Sequence, residues 1–356
     1  MYRIVVCLFF MVFAMIGCRP HSVNEPNRPL NPNDSVPAGS LDTTNANEPI
    51  DSLPLLFCTG DYTENVSLGG FAPCNMVKLG IRVGDDVDSI LQQLSNTECA
   101  LYLVLEYADV TSSADLHFVP DCWQKVTAGE AMADTIYGYT KRVLKLVDIS
   151  RVEFVQISRC VSSGLMWYSD DDILSPSQPL LSNFQGWKTQ SMYLNAASKA
   201  IREVCPAAKI VLQTDKMGAT ESLHRQMSNL VDYWKQLQVD YDVLSIYYAP
   251  IYKGALSVLE STFQALDFET LDGRNVHIET FYPCDNLPEV LGAYSADKLG
   301  YPYSKSGQKQ FLLDCKELTA SYLANAKCTD TCYFIYRYAA SEDYFQLKNA
   351  DCLLNE

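Results

Sequence analysis

VEFVQISRCVSSGLMW, residues 152–167, is a short run rich in β-branched and aromatic residues that enters a loop and ends on a large aromatic. Its first six residues read as a buried strand. Seven other stretches have the same character: LPLLFC from Leu53, MVKLGIRV from Met76, ALYLVLEY from Ala100, KIVLQT from Lys209, YDVLSIYY from Tyr241, NVHIETF from Asn275 and CYFIYRY from Cys332. Amphipathic segments lie between them. In GEAMADTIYGYTKRVLKLVD, Ile136, Thr140, Val143, Leu144 and Val147 recur at helical spacing. WKTQSMYLNAASKAIREV, ESLHRQMSNLVDYWKQL and SGQKQFLLDCKELTASYLANA are similar, the last with Ser306 as a candidate cap. Trp187 and Trp234 fall on these helical patterns and read as packing residues.

Eight strands alternating with helices predict an α/β fold, a (β/α)8 TIM barrel forming a single domain over residues 53–356. A doubly wound open sheet is the competing architecture, but no glycine-rich phosphate loop follows the first strand.

The 52 residues before the barrel read differently. MYRIVVCLFFMVFAMIGC opens with Arg3, continues as an apolar run too short to span a membrane comfortably, and ends in Gly17-Cys18. This predicts a lipoprotein signal peptide over residues 1–17 and a lipidated Cys18, anchoring the chain to a bacterial cell envelope, at the outer membrane or cell surface. An ordinary cleaved signal peptide is the plainer reading. Residues 18–52, rich in Pro, Asn, Ser and Asp, form a tether without the means to bury a core. As a coil it would reach ~30 Å.

The composition excludes some partners. With a formal net charge of −16, the chain is ill suited to neutralising phosphates, so nucleic acid is not an expected partner. The four histidines, His21, His117, His224 and His277, are scattered, and Cys328 and Cys332 have no second ligand pair nearby. Neither a metal site nor a cofactor is expected. Eleven cysteines follow Cys18, an odd number, so not all can pair within the chain. The chain is expected to act as a monomer.

In a barrel of this kind, function sits at the C-terminal ends of the strands. Those ends supply Arg82; Glu106, Tyr107 and Asp109; Ser158, Arg159 and Cys160; Asp215; Tyr247, Tyr248 and Tyr252; Glu279, Phe281 and Tyr282; and Tyr336, Arg337 and Tyr338. Carboxylates, arginines and many aromatic rings on one rim suit a glycan groove, where rings stack on sugar faces and charges grip hydroxyls. Trp123 and Trp167 are further candidate stacking platforms.

Several segments, in order, resemble the endo-β-1,4-galactanases of glycoside hydrolase family 53. LYLVLEYAD and PDCW resemble its third strand and the element that follows. The stretch from Ile136 through VEFVQISRCVSSGLMW resembles the approach to its Gly-Asn-Glu and downstream Trp. VDYDVLSIYYAPIYKGAL, NVHIETFYP and GYPYSKSGQKQFL resemble strand six, strand seven and the start of the last helix. The resemblance implies a retaining mechanism with two carboxylates about 5–5.5 Å apart. It implies Glu279 as nucleophile and puts Cys160 where the acid/base Glu belongs. Arg159 stands in place of the preceding Asn, Glu106 in place of a His, and Tyr336-Arg337 in place of a Trp-Glu.

A thiol is shorter than a carboxylate and, as thiolate, competes as a nucleophile. Arg159 is expected to pair with Glu279 and occupy it. The expected function is therefore to bind a β-galactan or related polysaccharide or oligosaccharide without efficient hydrolysis. An active, divergent retaining endo-glycosidase is the alternative, and a protein-docking face the plainest one. His277, two residues before Glu279, reads as a barrel-interior histidine or a contact of that carboxylate.

Overall fold

A computed structural model describes residues 55–58, 76–93, 100–108, 117–167, 184–218, 220–266, 271, 274–280, 282, 294–325 and 334–337. The predicted leader and tether, with Cys18, lie outside the described residues.

All eight expected strands are present. They are β1 (Leu55–Cys58), β2 (Met76–Arg82), β3 (Ala100–Glu106), β4 (Val152–Ile157), β5 (Lys209–Thr214), β6 (Val243–Tyr248), β7 (Asn275–Thr280) and β8 (Phe334–Arg337). Every pairing is parallel, and the sheet runs β1-β8-β7-β6-β5-β4-β3-β2. β1 also lies beside β2, so the order returns to its start. An open doubly wound sheet would instead reverse its order at a switch point. The fold is the (β/α)8 barrel.

Alternation along the strands sorts side chains between two environments. Leu79, Ile81, Leu103, Leu105, Val155, Ile157, Ile210, Leu212, Leu244, Ile246 and Ile278 are buried, in the manner of a strand face covered by helices. The positions between them point into the barrel, as contacts across non-adjacent strands show: Lys78 of β2 and Gln213 of β5 both reach Glu279 of β7, and Phe154 of β4 meets His277 of β7. Tyr102, Val104, Phe154, Val211 and Val243 form one apolar cluster in this interior. One step nearer the strand C-termini, Gln156, Gln213, Ser245, His277 and Glu279 form a polar layer, all buried.

The helices follow their sequence signals. In α2 (Glu130–Leu144), which follows α1 (Val87–Gln93), Met132, Ala133, Ile136, Tyr139, Thr140, Val143 and Leu144 are buried at helical spacing. Trp187 of α3 (Phe184–Val204) meets Trp234 of α4 (Glu221–Gln236) edge to face at 5.8 Å, and both are buried. After α5 (Pro250–Lys253), α6 (Leu256–Ala265) and α7 (Ala296–Leu299) comes α8 (Lys305–Asn325). The capping hydroxyl of α8 is Ser304, which accepts from the Gly307 amide at 3.1 Å, not Ser306. The helix starts at Lys305, so only the residue before it has a side chain placed to take the first free amides.

Candidate active site

The polar layer becomes a connected network at its upper edge. Glu279, the fifth residue of β7, is 3% exposed, and its Oε2 accepts from Lys78 Nζ at 2.7 Å. Such a pair keeps a buried carboxylate charged, because the ammonium replaces the lost hydration. The Lys78 ammonium also lies 4.6 Å from the centre of the Tyr102 ring. The Tyr102 hydroxyl donates to Gln156 at 2.8 Å, and the Gln156 amide donates to the Ser158 carbonyl at 2.8 Å. The network therefore runs from Glu279 through β2 and β3 to the end of β4.

Gln213 closes the circuit on the other side. Its Nε2 donates to Glu279 Oε2, while its Oε1 faces Cys160, accepting from the backbone amide at 3.3 Å and lying 3.7 Å from Sγ. The carboxylate demands a donor, which turns the amide oxygen toward the sulfur. That arrangement suits a protonated thiol and opposes a thiolate. The nucleophile position and the acid/base position are thus joined through one glutamine.

The backbone after β4 is tightly constrained. Ser158 and Cys160 have φ of 49° and 42°, in the left-handed region that non-glycine residues seldom occupy. Ser158 is fully buried; its amide donates to Leu105, and its hydroxyl accepts from the Tyr107 amide. These bonds hold the turn against β3.

Arg159, between these two residues, does not make the pair expected of it. Its guanidinium engages Glu106, at the end of neighbouring β3, with both side chains largely buried. The left-handed turn directs residue 159 sideways toward β3, while Glu279 is already met by Lys78. Two of the departures inferred from the resemblance, Glu106 and Arg159, are therefore partners of each other. His117 is bonded through Nε2 to the Arg159 carbonyl. Burial lowers the His117 pKa more than the Glu106 charge and the Arg159 carbonyl raise it.

His277 is fully buried with its ring edge on Phe154, at 5.0 Å between centroids, below Glu279. Burial, assisted by the Lys78 and Lys209 charges, pushes its pKa down to about 3 and holds the imidazole neutral.

The other predicted residues divide. Tyr247 is half-buried and stands in register with Glu279 on the adjacent strand. Trp167 is half-buried, with its Nε1 donating to Ser163. Trp123 is buried with its edge against Tyr139, Tyr248 is fully buried with its hydroxyl on the Gly254 carbonyl, and Tyr282 is fully buried, stacked on Phe311 and bonded to the Tyr301 carbonyl. These three rings stabilise loops and offer little face to a sugar, because ring–ring packing already covers them. Tyr336 stands in register with Thr280 in β8. Asp109 lies outside the described residues.

Lys78 and Gln213 were not predicted, although the sequence holds a signal for both. Each is a polar residue at an inward position of its strand, a face shared with Arg82 on β2 and with Lys209 on β5.

Beyond Cys160 lies a second charged group. Asp215, just after β5, accepts from the Ser162 hydroxyl at 2.9 Å, with Lys253 Nζ at 3.5 Å and Lys216 Nζ at 3.9 Å. Burial pulls its pKa up, but Lys216, Lys253 and Ser162 together outweigh that and leave it below the ordinary carboxylate value.

Residues 72–334 match glycosyl hydrolase family 53. The chain belongs to that family. The fold agrees: the Ignisphaera aggregans GH53 catalytic domain superposes with a TM-score of 0.56 at 18% identity, over 73% of this chain and 72% of that one. A fungal β-1,4-galactanase superposes with a TM-score of 0.57 at 16% identity, over 74% and 77%. An uncharacterized protein in the bgaB 5′ region of Niallia circulans is 22% identical over 231 residues, which is 62% of this chain and 60% of that protein. The family 53 barrel supports a glycan-binding or glycoside-cleaving function, and its polar layer leads to the strand ends where such a site belongs.

Proposed function

We propose that this family 53 protein is a cell-envelope lipoprotein that holds a β-galactan or related polysaccharide in the groove at the strand C-termini and hydrolyses it poorly. The observation that carries this reading is the bridge from Cys160 through Gln213 to Glu279. A retaining glycosidase needs a carboxyl group at each position, one attacking and one delivering the proton. Here a short thiol stands at the donor position, and a neutral amide occupies the space between it and Glu279. Glu106, the nearest described carboxylate on β3, is engaged by Arg159.

The alternative, a divergent retaining hydrolase, draws support from Lys78, which keeps Glu279 charged as a nucleophile must be. Calorimetric binding of β-1,4-galactan oligomers, run beside turnover of activated aryl β-galactosides, separates the two. Aryl substrates need little acid assistance, so they expose any surviving nucleophile. Binding that persists in Glu279→Gln with no aryl turnover is the expected result. Turnover that disappears in Glu279→Gln would establish the hydrolase instead.

A further inference from the structure

Charge around the site mouth does not balance. In the interior, Lys78 is matched by Glu279 and Arg159 by Glu106. At the ends of β5 and β6, Asp215 faces two ammonium groups, so among the described residues this cluster carries one cation more than its anion. Neither lysine closes onto the carboxylate. The separations of 3.5 and 3.9 Å exceed those of a close charge-assisted hydrogen bond, about 2.7–2.9 Å. The direct bond from Lys253 goes instead to the Asp215 backbone carbonyl, at 3.1 Å. An ammonium has three donors, so most of this capacity remains for a ligand.

The setting differs from that of a solvated surface pair. The Lys216 and Lys253 side chains are 31% and 27% exposed, and the Asp215 side chain 14%. Three successive strand-to-helix connections meet here: Ser162 follows β4, Asp215 and Lys216 follow β5, and Lys253 ends α5 after β6. Ser162 is two residues from Cys160, and Asp215 two from Gln213, so the cluster adjoins the proposed groove. Next to Lys253 in the chain, Tyr252 is 45% exposed, and Tyr294, whose amide donates to the Ile251 carbonyl, is 39% exposed. A cationic excess next to two exposed tyrosines stands out in a chain with a net charge of −16.

We infer that Lys216 and Lys253 form a subsite for an anionic substituent of the glycan, a carboxylate or a sulfate ester, with Tyr252 as the stacking face for the sugar that carries it. This rests on the glycan-binding reading and narrows its ligand to an acidic polysaccharide. Asp215 holds the two ammonium groups apart and oriented, and the ligand's anion completes the pairing.

The test compares three oligosaccharides of equal length by titration calorimetry on the full chain: neutral β-1,4-galactan, oligogalacturonate and sulfated galactan. At least one anionic form should bind about tenfold more tightly than the neutral one, and whichever does so identifies the substituent. In Lys216→Met/Lys253→Met the ratio of anionic to neutral affinity should shrink to within about twofold. Raising salt to about 0.5 M should reduce the preference in the wild type. Should the double variant fail to melt cooperatively, Lys253→Met alone must lower the salt dependence of anionic binding. Equal binding of all three glycans, or a preference that survives the lysine substitutions, overturns the subsite and leaves the broader reading standing. Absence of binding to every glycan overturns both.

Discussion

Lys78 is the residue on which the site's chemistry depends, since it provides the positive charge for a carboxylate buried in the barrel. Removing one member of a buried ion pair costs about 3–5 kcal/mol, because the other charge is left without solvent or partner. Lys78→Met should therefore lower unfolding stability by about that amount, and Lys78→Met/Glu279→Gln should recover much of it. Denaturant unfolding of the two variants measures this; equal losses in both would show that the pair is not coupled.

His277 provides a second test at the same scale. Its folded pKa of about 3 lies below its ordinary value of 6.5, so the unfolded chain binds a proton that the folded chain refuses. The stability contributed by the neutral ring is fully present above pH 6.5 and is lost as pH falls from there toward 3. Unfolding midpoints should thus fall between pH 6.5 and 4, and His277→Gln should flatten that fall. An unchanged slope would assign the acid sensitivity to other groups.

At the scale of elements, β3 and β4 are joined at their C-terminal ends by a buried ion pair. In the sequence Glu106 and Arg159 are two separate departures from the family pattern that the chain resembles; in the structure they are partners in one ion pair across neighbouring strand ends. A double-mutant cycle with Glu106→Gln and Arg159→Asn should give a coupling of about 1–3 kcal/mol, since the residues touch and are largely buried. Additivity would refute the pairing. The pair also bears on restoring hydrolysis. Arg159→Asn with Cys160→Glu alone would leave Glu106 buried without its cation, so a converted site needs Glu106 replaced as well. The turn that carries these residues was not legible. Nothing in SRC marks positive φ at Ser158 and Cys160, because the strain is held by hydrogen bonds to β3 and β5 that only the fold supplies.

At the scale of the molecule, the barrel brings the network to one end, and the chain ahead of it bears on where the protein works. Among the described residues no helix is long and apolar enough to cross a membrane. The lipid anchor proposed at Cys18 has a direct test. Cys18→Ser should move the protein from the membrane fraction to the soluble one and abolish incorporation of labelled fatty acid. Retention in the membrane fraction would count against the lipid anchor.

The sequence alone determined the strand count, their alternation with helices and, through ordered resemblances, the family. These are properties of local periodicity and composition, which survive without knowledge of contacts. It also placed Glu279 and Cys160 at strand ends. Which charges meet was decided by tertiary structure. Lys78 and Glu279 are 201 residues apart in the chain, Gln213 and Glu279 are 66 apart, and both contacts cross the barrel between strands that are not hydrogen-bonded neighbours. Closure of the sheet creates those proximities. For the same reason Trp123, Tyr248 and Tyr282, three aromatic rings that the sequence offers as sugar platforms, pack against other rings in the fold.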